Sequence, residues 1–467
     1  MKVVTAMNSY APRNFATAAK SAPSYLDVAA NAHGAEKGHL MRQALDRLGG
    51  TRRQVVEVGP GGGAAVAWLA ATLADQPADT PRVELTLVEA PGVTSASLVQ
   101  AMEKFGQVGA CRLVTGLATE LDAVLPGPVD VISASALLHE VYSYSGGYPG
   151  LYSLIRALPA MLTSGGFFAY RDVYAVNASC LHQRVTHSYD IPSWLRFLRL
   201  FLPRYLSEGR HPYHRADDQI LVRQNSRPIT IPELDTSTCA LVTAPIGLLR
   251  ETQRHYLTAR DHVWRSGALG FTPILDGQLA ADWIDFGAGH KRVHYALTDL
   301  DWLPLSQKAM LRSISEPYAD HLTVDGDLFD EVTDVVLDAF LNAVERGDRA
   351  CAEVWSAWMS REGHETYTYF SLDELLTAFT VLSAEAQAET VLMPIQSSDI
   401  ERRERHHYNR FLSRRLISPL LDAKQLVLFA NVPRADTTTL RQALATVRPW
   451  CSKPNLARIH TAVCTRG

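Results

Sequence analysis

The chain has 467 residues, of which 47% are hydrophobic and 20% charged, and its formal net charge is -4. A chain of this length can bury a large core and predicts two or three domains. The slightly acidic balance disfavours a protein built mainly to neutralise nucleic-acid phosphates. No stretch reaches the roughly 18 apolar residues of a membrane span, and the N-terminus lacks a signal-like apolar region, so we expect a cytoplasmic protein.

The cysteine and histidine spacings argue against a metal site. The six cysteines are scattered without a C-x-x-C pair, which predicts reduced thiols rather than a structural zinc site. His255, His262 and His290 lack an accompanying carboxylate pattern. We therefore predict no metal ion.

Strand-like and helix-like segments alternate over roughly the first third of the chain. The predicted strands cover residues 55–58, 83–90, 111–116, 129–135 and 166–173, and the predicted helices cover 25–48, 64–74, 94–105 and 151–162. Strands that alternate with helices at this spacing predict an α/β protein with a doubly wound, parallel sheet.

The alternation stops after Asp172 and returns near residue 371. Between them, residues 329–347 show an amphipathic helical pattern that ends at Gly347. A capping box of Ser371 and Glu374 then begins a further helix. This pattern predicts one α/β domain with a mostly helical insertion between its fifth strand and its last helix. The predicted segments are an N-terminal helical segment (1–50), a first core part (51–176), an inserted cap (177–365) and a second core part with a closing strand pair (366–467).

The stretch VVEVGPGGG, residues 55–63, reads as a buried strand followed by a glycine loop and a helix. Such a loop brings backbone N–H groups and the positive end of a helix dipole close to a ligand. Ala64-Ala65 stands where a P-loop requires Lys-Ser or Lys-Thr, which excludes that class. The glycines alone fit a dinucleotide as readily as S-adenosylmethionine (SAM), and a tight strand–helix turn without a ligand is the less favoured alternative.

Residues around the loop resemble those of the class I (Rossmann-like) SAM-dependent methyltransferases of the small-molecule type. Glu57 precedes the first glycine by two positions, Glu89 ends the second strand, and two strands at 388–394 and 425–433 close the chain. The resemblance covers about 50–175 and 366–433, although the long gap at 395–424 departs from the family pattern. It implies a seven-stranded sheet with an antiparallel closing pair, SAM as cofactor and S-adenosylhomocysteine (SAH) as product.

The resemblance also implies roles for individual residues. The acid before the glycines would hold the methionine end of the cofactor, the glycines would clear room for it, the acid ending the second strand would accept from the ribose hydroxyls, and the third-strand loop would lie near the adenine. The implied cofactor-binding residues are Glu57, Gly59, Gly61, Gly63, Glu89, Gly116, Leu117, Ala118 and Ser135.

Candidate catalytic residues follow the fourth and fifth strands. His139 could act as a general base, and Glu140 could orient it, bind a polar group of the substrate or act as the base itself. The alternative is that the two residues simply begin a packed helix. Arg171 could grip a substrate anion or form an internal pair with Asp172. Tyr25, Tyr142, Tyr144 and Asp172 complete the predicted substrate pocket, with core packing as the alternative for the two tyrosines after the fourth strand.

These patterns predict a methyltransferase acting on a medium-sized organic molecule, of the kind found in specialised-metabolite (antibiotic) biosynthesis. A SAM-binding enzyme of intramolecular alkylation or cyclisation, an RNA or DNA methyltransferase, and a SAM-binding pseudoenzyme stay open as alternatives. The basic segment 401–415 would serve a nucleic acid, but we interpret it as an amphipathic helix whose Tyr408 and Phe411 face the sheet. The substrate, the acceptor atom and a homodimeric state are left open.

Overall fold

The computed structural model describes residues 34–49, 52–77, 82–93, 95–173, 181–208, 211–213, 220–269, 271–273, 292–297, 302–386, 389–401, 407–420 and 423–464. The chain divides into two compact units. The core unit comprises Met1–Cys180, Thr366–Ile400 and Ala423–Gly467, and the inserted unit comprises Leu181–Glu365 and Glu401–Asp422.

A seven-stranded sheet forms the centre of the core unit. Its strands are β1 (Arg52–Val58), β2 (Arg82–Glu89), β3 (Ala110–Thr115), β4 (Val129–Ser135), β5 (Leu162–Val173), β14 (Thr390–Glu401) and β15 (Ala423–Pro433). Their order across the sheet is β14-β15-β5-β4-β1-β2-β3. The pairs β1–β2, β1–β4, β2–β3 and β4–β5 are parallel, whereas β15 runs antiparallel to β5. The predicted doubly wound, seven-stranded fold is therefore confirmed.

Helices flank this sheet and bury apolar faces against it. They are α1 (Gly34–Arg47), α2 (Ala64–Ala74), α3 (Ala96–Phe105), α4 (Leu121–Val124), α5 (Leu138–Tyr144), α6 (Tyr148–Met161), α12 (Leu372–Ala386), α14 (Thr437–Val447) and α15 (Lys453–Cys464). The predicted capping box begins α12, because the Ser371 N–H donates to the Glu374 carboxylate at 2.8 Å and the Glu374 N–H donates to Ser371 Oγ at 3.3 Å. Buried hydrophobic side chains from before and after the insertion form one continuous hydrophobic core in this unit.

The inserted unit combines helices with two small antiparallel sheets. Its helices are α7 (Pro192–Ser207), α8 (Ile246–Arg265), α9 (Leu305–Ile314), α10 (Gly326–Glu345), α11 (Arg349–Met359) and α13 (His407–Arg415). Its strands are β6 (Arg184–Tyr189), β7 (Leu221–Gln224), β8 (Arg227–Ile229), β9 (Ala240–Pro245), β10 (Phe271–Pro273), β11 (Arg292–Leu297), β12 (Glu316–Tyr318) and β13 (His321–Asp325). The sheet orders are β6-β9-β7-β8 and β10-β11-β13-β12. The helix predicted at 329–347 is present as α10, and Gly347 follows it with a φ of 80°.

The basic segment after β14 contains α13, as an amphipathic helix. Its Phe411 stacks on Tyr256 with ring centroids 6.3 Å apart and lies under the Arg260 guanidinium at 4.1 Å. These partners belong to α8 of the inserted unit, so the prediction that Phe411 faces the seven-stranded sheet is wrong. Arg402, Arg403 and Arg405 lie outside the described residues.

Within the described ranges, no helix is both long enough and apolar enough to span a bilayer.

Candidate active site

The glycine loop joins β1 to α2 at the carboxyl edge of the sheet. Gly59, Gly61 and Gly63 have φ values of 68°, 55° and 78°, a left-handed conformation that glycine adopts without steric cost. The Gly59 N–H donates to the Val88 carbonyl at 2.9 Å, which ties the loop to β2. A β carbon at Gly59 would lie 2.9 Å from Leu137 Cδ1, so the loop and the residue before α5 approach closely.

The third predicted cofactor glycine faces protein. A β carbon at Gly63 would lie 2.9 Å from Ala101 Cβ and 3.0 Å from the Leu98 Cα atom, both in α3. Ser97 Oγ donates to the Gly62 carbonyl at 2.9 Å and reinforces this contact. The structure therefore gives Gly63 a packing function between α2 and α3.

Glu57 lies at the end of β1, immediately before the loop, and is only 3% exposed. Its Oε2 atom has no hydrogen-bond partner within the described part of the chain. Burial raises the pKa of Glu57 to about 7, with Lys37 opposing and Glu89 adding to the shift. A buried carboxylate oxygen without a donor is costly unless a ligand supplies one, and a cationic donor fits it best.

Glu89 ends β2 beside the same loop and is buried. Its Oε2 accepts from the Gly61 N–H at 3.1 Å, and its Oε1 accepts from the Ala90 N–H at 2.9 Å. These two bonds fix the orientation of the carboxylate beside the glycine loop.

The three residues predicted near an adenine follow β3. The Gly116 N–H donates to the Glu89 carbonyl at 3.0 Å, and a β carbon there would lie 2.6 Å from Val124 Cγ2. Leu117 precedes a short 3-10 turn that begins at Ala118. All three are partly exposed, at the same sheet edge as Glu89.

Arg171 near the end of β5 pairs with Glu36 of α1. Arg171 Nη2 lies 2.6 Å and its Nε lies 3.0 Å from Glu36 Oε1, while Nη1 donates to Ser135 Oγ at 3.2 Å. Lys424 Nζ of β15 reaches the same carboxylate at 2.9 Å. Burial alone would raise the pKa of Glu36, but the two cations lower it to about 2. The internal partner of Arg171 is thus Glu36, which sequence reasoning did not single out.

His139 of α5 is held by Asp172 of β5. His139 Nδ1 lies 2.9 Å from Asp172 Oδ1, and the His139 backbone N–H donates to Asp172 Oδ2 at 3.1 Å. Both side chains are buried. Sequence reasoning assigned the orienting carboxylate to the adjacent Glu140, whereas Asp172 reaches the ring because β4 and β5 pair in parallel, with Ser135 opposite Arg171.

The remaining predicted pocket residues differ from one another in how far they are buried. Tyr142 is buried and stacks on Tyr369 with ring centroids 5.5 Å apart, which is a packing contact. Glu140 and Tyr144 are partly exposed on α5. Tyr25 lies outside the described residues.

No protein-family model matches this sequence, and no curated protein matches it. Among solved structures, the CurJ carbon methyltransferase is similar at 15% identity with a TM-score of 0.26, over 50% of this chain and 61% of that one. CalS10, an amino pentose methyltransferase from Micromonospora echinaspora, is 17% identical with a TM-score of 0.22, over 33% of this chain and 56% of that one. TrmN from Thermus thermophilus is 19% identical with a TM-score of 0.23, over 50% of this chain and 53% of that one.

These alignments cover less than two thirds of each of the three solved chains. TM-scores this low carry no inference about activity, and the fold rests on the strand order of the core sheet. Glu57, Glu89 and Asp172 lie at or next to the carboxyl ends of β1, β2 and β5, and His139 follows β4.

Proposed function

We propose that the protein is a SAM-dependent methyltransferase that acts on a medium-sized organic molecule. The observation that carries the proposal is Glu57, which lies near the end of β1 before a glycine loop at the carboxyl edge of the core sheet. Its buried Oε2 has no hydrogen-bond donor among the described residues. Ligands of open α/β sheets bind at this edge. An ammonium group, such as that of a methionine moiety, would satisfy the buried oxygen by a charge-assisted hydrogen bond.

The chain's own residues would divide the cofactor between them. Glu57 would take the ammonium group, the backbone at Gly59 and Gly61 would give close approach, and Glu89 would accept from the ribose hydroxyls. The edge residues from Gly116 to Ala118 would lie near the adenine. When bound, SAM supplies an electrophilic methyl group on a sulfonium centre.

In this proposal, His139 removes the proton of the acceptor. Asp172 accepts a hydrogen bond from Nδ1, which directs the Nε2 atom to act as the base. As Nε2 takes the proton, the imidazole becomes a cation, and the Asp172 carboxylate stabilises it in the buried site. General-base assistance of this kind contributes about 10²- to 10⁴-fold.

The pair suits an acceptor that must lose a proton, such as a hydroxyl or an acidic carbon. Neither the glycine loop nor the His139–Asp172 pair selects between oxygen, nitrogen and carbon on its own. We place the enzyme in metabolite chemistry, including antibiotic-type biosynthesis, because the net charge of -4 disfavours a nucleic-acid substrate.

The test is incubation of the protein with methyl-deuterated SAM and a fractionated metabolite extract, followed by mass spectrometry of SAH and products. We expect SAH together with a product heavier by one deuterated methyl group, and loss of both with His139→Gln. A new product without SAH would favour ring closure instead. SAM binding without any new product across the fractions would count against catalysis and favour a cofactor-binding scaffold.

A further inference from the structure

The carboxylate that holds His139 has a third donor. Tyr369 OH donates to Asp172 Oδ2 at 2.9 Å, in addition to the His139 backbone N–H at 3.1 Å on the same oxygen. The His139 ring occupies Oδ1 at 2.9 Å. Both oxygens of Asp172 are therefore engaged, and Asp172 is only 2% exposed.

Tyr369 is itself fixed from several sides. Its hydroxyl lies 2.9 Å from Tyr170 OH, and that second hydroxyl oxygen lies 3.2 Å from Gln425 Oε1. Its carbonyl accepts from Tyr148 OH at 2.7 Å. Tyr369 is 2% exposed, so its hydroxyl has little freedom to turn away from Asp172.

The segment 366–370 brings this tyrosine to the site as the chain re-enters the core unit. Its first residue is anchored, because the Thr366 N–H donates to Ser143 Oγ at 2.8 Å. Its Tyr367 ring lies against the His139 ring with centroids 4.8 Å apart and a tilt of 36°. One short segment thus contacts both members of the His139–Asp172 pair.

We propose that Tyr369 is a positioning residue that sets the orientation and basicity of His139 through Asp172. The inference rests on the proposed function, since it assigns a role within the same site. The tyrosine hydroxyl adds a third hydrogen bond to the two by which His139 holds the Asp172 carboxylate, and it further restricts the rotation of that carboxylate. The same hydrogen bond draws negative charge away from the oxygens that face the imidazole.

The direction of the effect follows from this charge. Without the Tyr369 hydroxyl, Asp172 keeps more of its negative charge towards the imidazole and stabilises the protonated ring more strongly. His139 should then titrate at higher pH, while a less ordered carboxylate should lower the rate of proton removal.

The experiment compares Tyr369→Phe with Tyr148→Phe, which removes a half-buried tyrosine hydroxyl that bonds to the Tyr369 carbonyl and spares Asp172. The His139 ring is followed by NMR in ¹⁵N-histidine-labelled full-length protein, with its signals assigned from their absence in His139→Gln. We expect the His139 titration midpoint to rise by about half a pH unit in Tyr369→Phe and to stay unchanged in Tyr148→Phe. With an acceptor in hand, the kcat of Tyr369→Phe should fall about 10-fold at unchanged KM.

Equal His139 titrations in wild type, Tyr369→Phe and Tyr148→Phe would overturn the proposal. Should Tyr369→Phe fail to fold, Tyr170→Phe replaces it and should give a smaller shift of the same sign, and no shift there would overturn the proposal equally. The NMR readout needs neither cofactor nor substrate. A shifted midpoint in a protein that neither binds SAM nor transfers a methyl group would leave the positioning role standing and reject the methyltransferase.

Discussion

Each unit of the molecule buries an aspartate beneath a tyrosine hydroxyl. In the core unit, Tyr369 OH lies 2.9 Å from Asp172 Oδ2, and in the inserted unit, Tyr256 OH lies 2.5 Å from Asp334 Oδ1. All four side chains are almost fully buried. The two pairs differ in what else contacts the carboxylate, and this difference separates a candidate catalytic group from a structural one.

Asp334 faces a permanent cation, because Arg415 Nε lies 3.0 Å from its Oδ2. Burial raises the pKa of Asp334 to about 6 against the opposing effect of Arg415, so it is ionised at neutral pH beside a charge that never changes. Its tyrosine is fixed by Trp194, whose ring stacks at 3.6 Å, and by Ser193 Oγ at 2.7 Å. This arrangement ties α7, α8, α10 and α13 together around the fixed cation of Arg415.

Asp172 instead faces an imidazole, whose charge can change near neutral pH. A buried carboxylate that holds such a partner can support proton transfer, since it stabilises the cation that forms. Burial and a tyrosine hydroxyl are common to both aspartates, so the feature that distinguishes Asp172 from Asp334 in the proposed function is its imidazole partner.

The largest expected effect is on turnover. His139→Gln should lower kcat by about 10²- to 10⁴-fold while SAH affinity measured by calorimetry stays within about 2-fold, because the base acts only in the chemical step. His255 is the matched control, as a fully buried histidine beside Glu251 at 3.3 Å in the inserted unit. His255→Gln should leave kcat unchanged, and an equal loss in both variants would break the comparison.

The core unit also has a carboxylate with a structural role, Glu36. The free energy of unfolding should depend on pH through this group. Its pKa in the folded protein is lowered from 4.5 to about 2, where Arg171 and Lys424 outweigh the effect of burial. Its contribution to the free energy of unfolding, on the order of 3 kcal/mol, is therefore present above pH 4.5 and lost as the pH falls towards 2.

Urea unfolding of wild type and Glu36→Gln between pH 2 and pH 7 measures this contribution. The difference between the two stability curves should grow as the pH rises from 2 to 4.5 and stay constant above pH 4.5. Glu385→Gln is the control. Glu385 is exposed and pairs with Arg156 at 3.6 Å on the surface, where an ion pair contributes little to stability. Wild-type and Glu36→Gln curves that stay parallel over this range would contradict the assignment.

A smaller effect distinguishes the two tyrosines. Tyr256→Phe should lower the free energy of unfolding by about 1–3 kcal/mol, since Asp334 and Ser193 lose a buried hydrogen-bond partner. Turnover and the His139 titration should not change in this variant. A Tyr256→Phe protein with lowered kcat and unaltered stability would reverse the roles given to the two pairs.

The sequence predicts the core sheet well because its signals are local. Apolar runs, glycine turns and the capping box at Ser371 each act within a few residues, and they give the strands from β1 to β5 to within a few residues at their ends. The strands of the inserted unit were not predicted, because all eight that the structure describes there have three to six residues and too little pattern to recognise.

The site could be predicted only where its residues follow a motif. Glu57 and Glu89 lie at strand ends beside the glycine loop, as the family resemblance implied. The partner of His139 was assigned to its neighbour Glu140, because strand register, which selects Asp172, cannot be seen in sequence. Glu36 and Arg171 are 135 residues apart, and no local pattern connects them.

The central claim is that the glycine loop and its two acids bind SAM, and isothermal titration calorimetry tests it most directly. Wild-type protein should bind both SAM and SAH at one site per chain. Glu89→Ala should weaken SAM binding by about 1–3 kcal/mol, the scale of lost charge-assisted hydrogen bonds, with Glu84→Ala on the same strand as the control. Unchanged affinity in Glu89→Ala, or no heat of binding for SAM and SAH to the wild-type protein at millimolar ligand, would contradict the account.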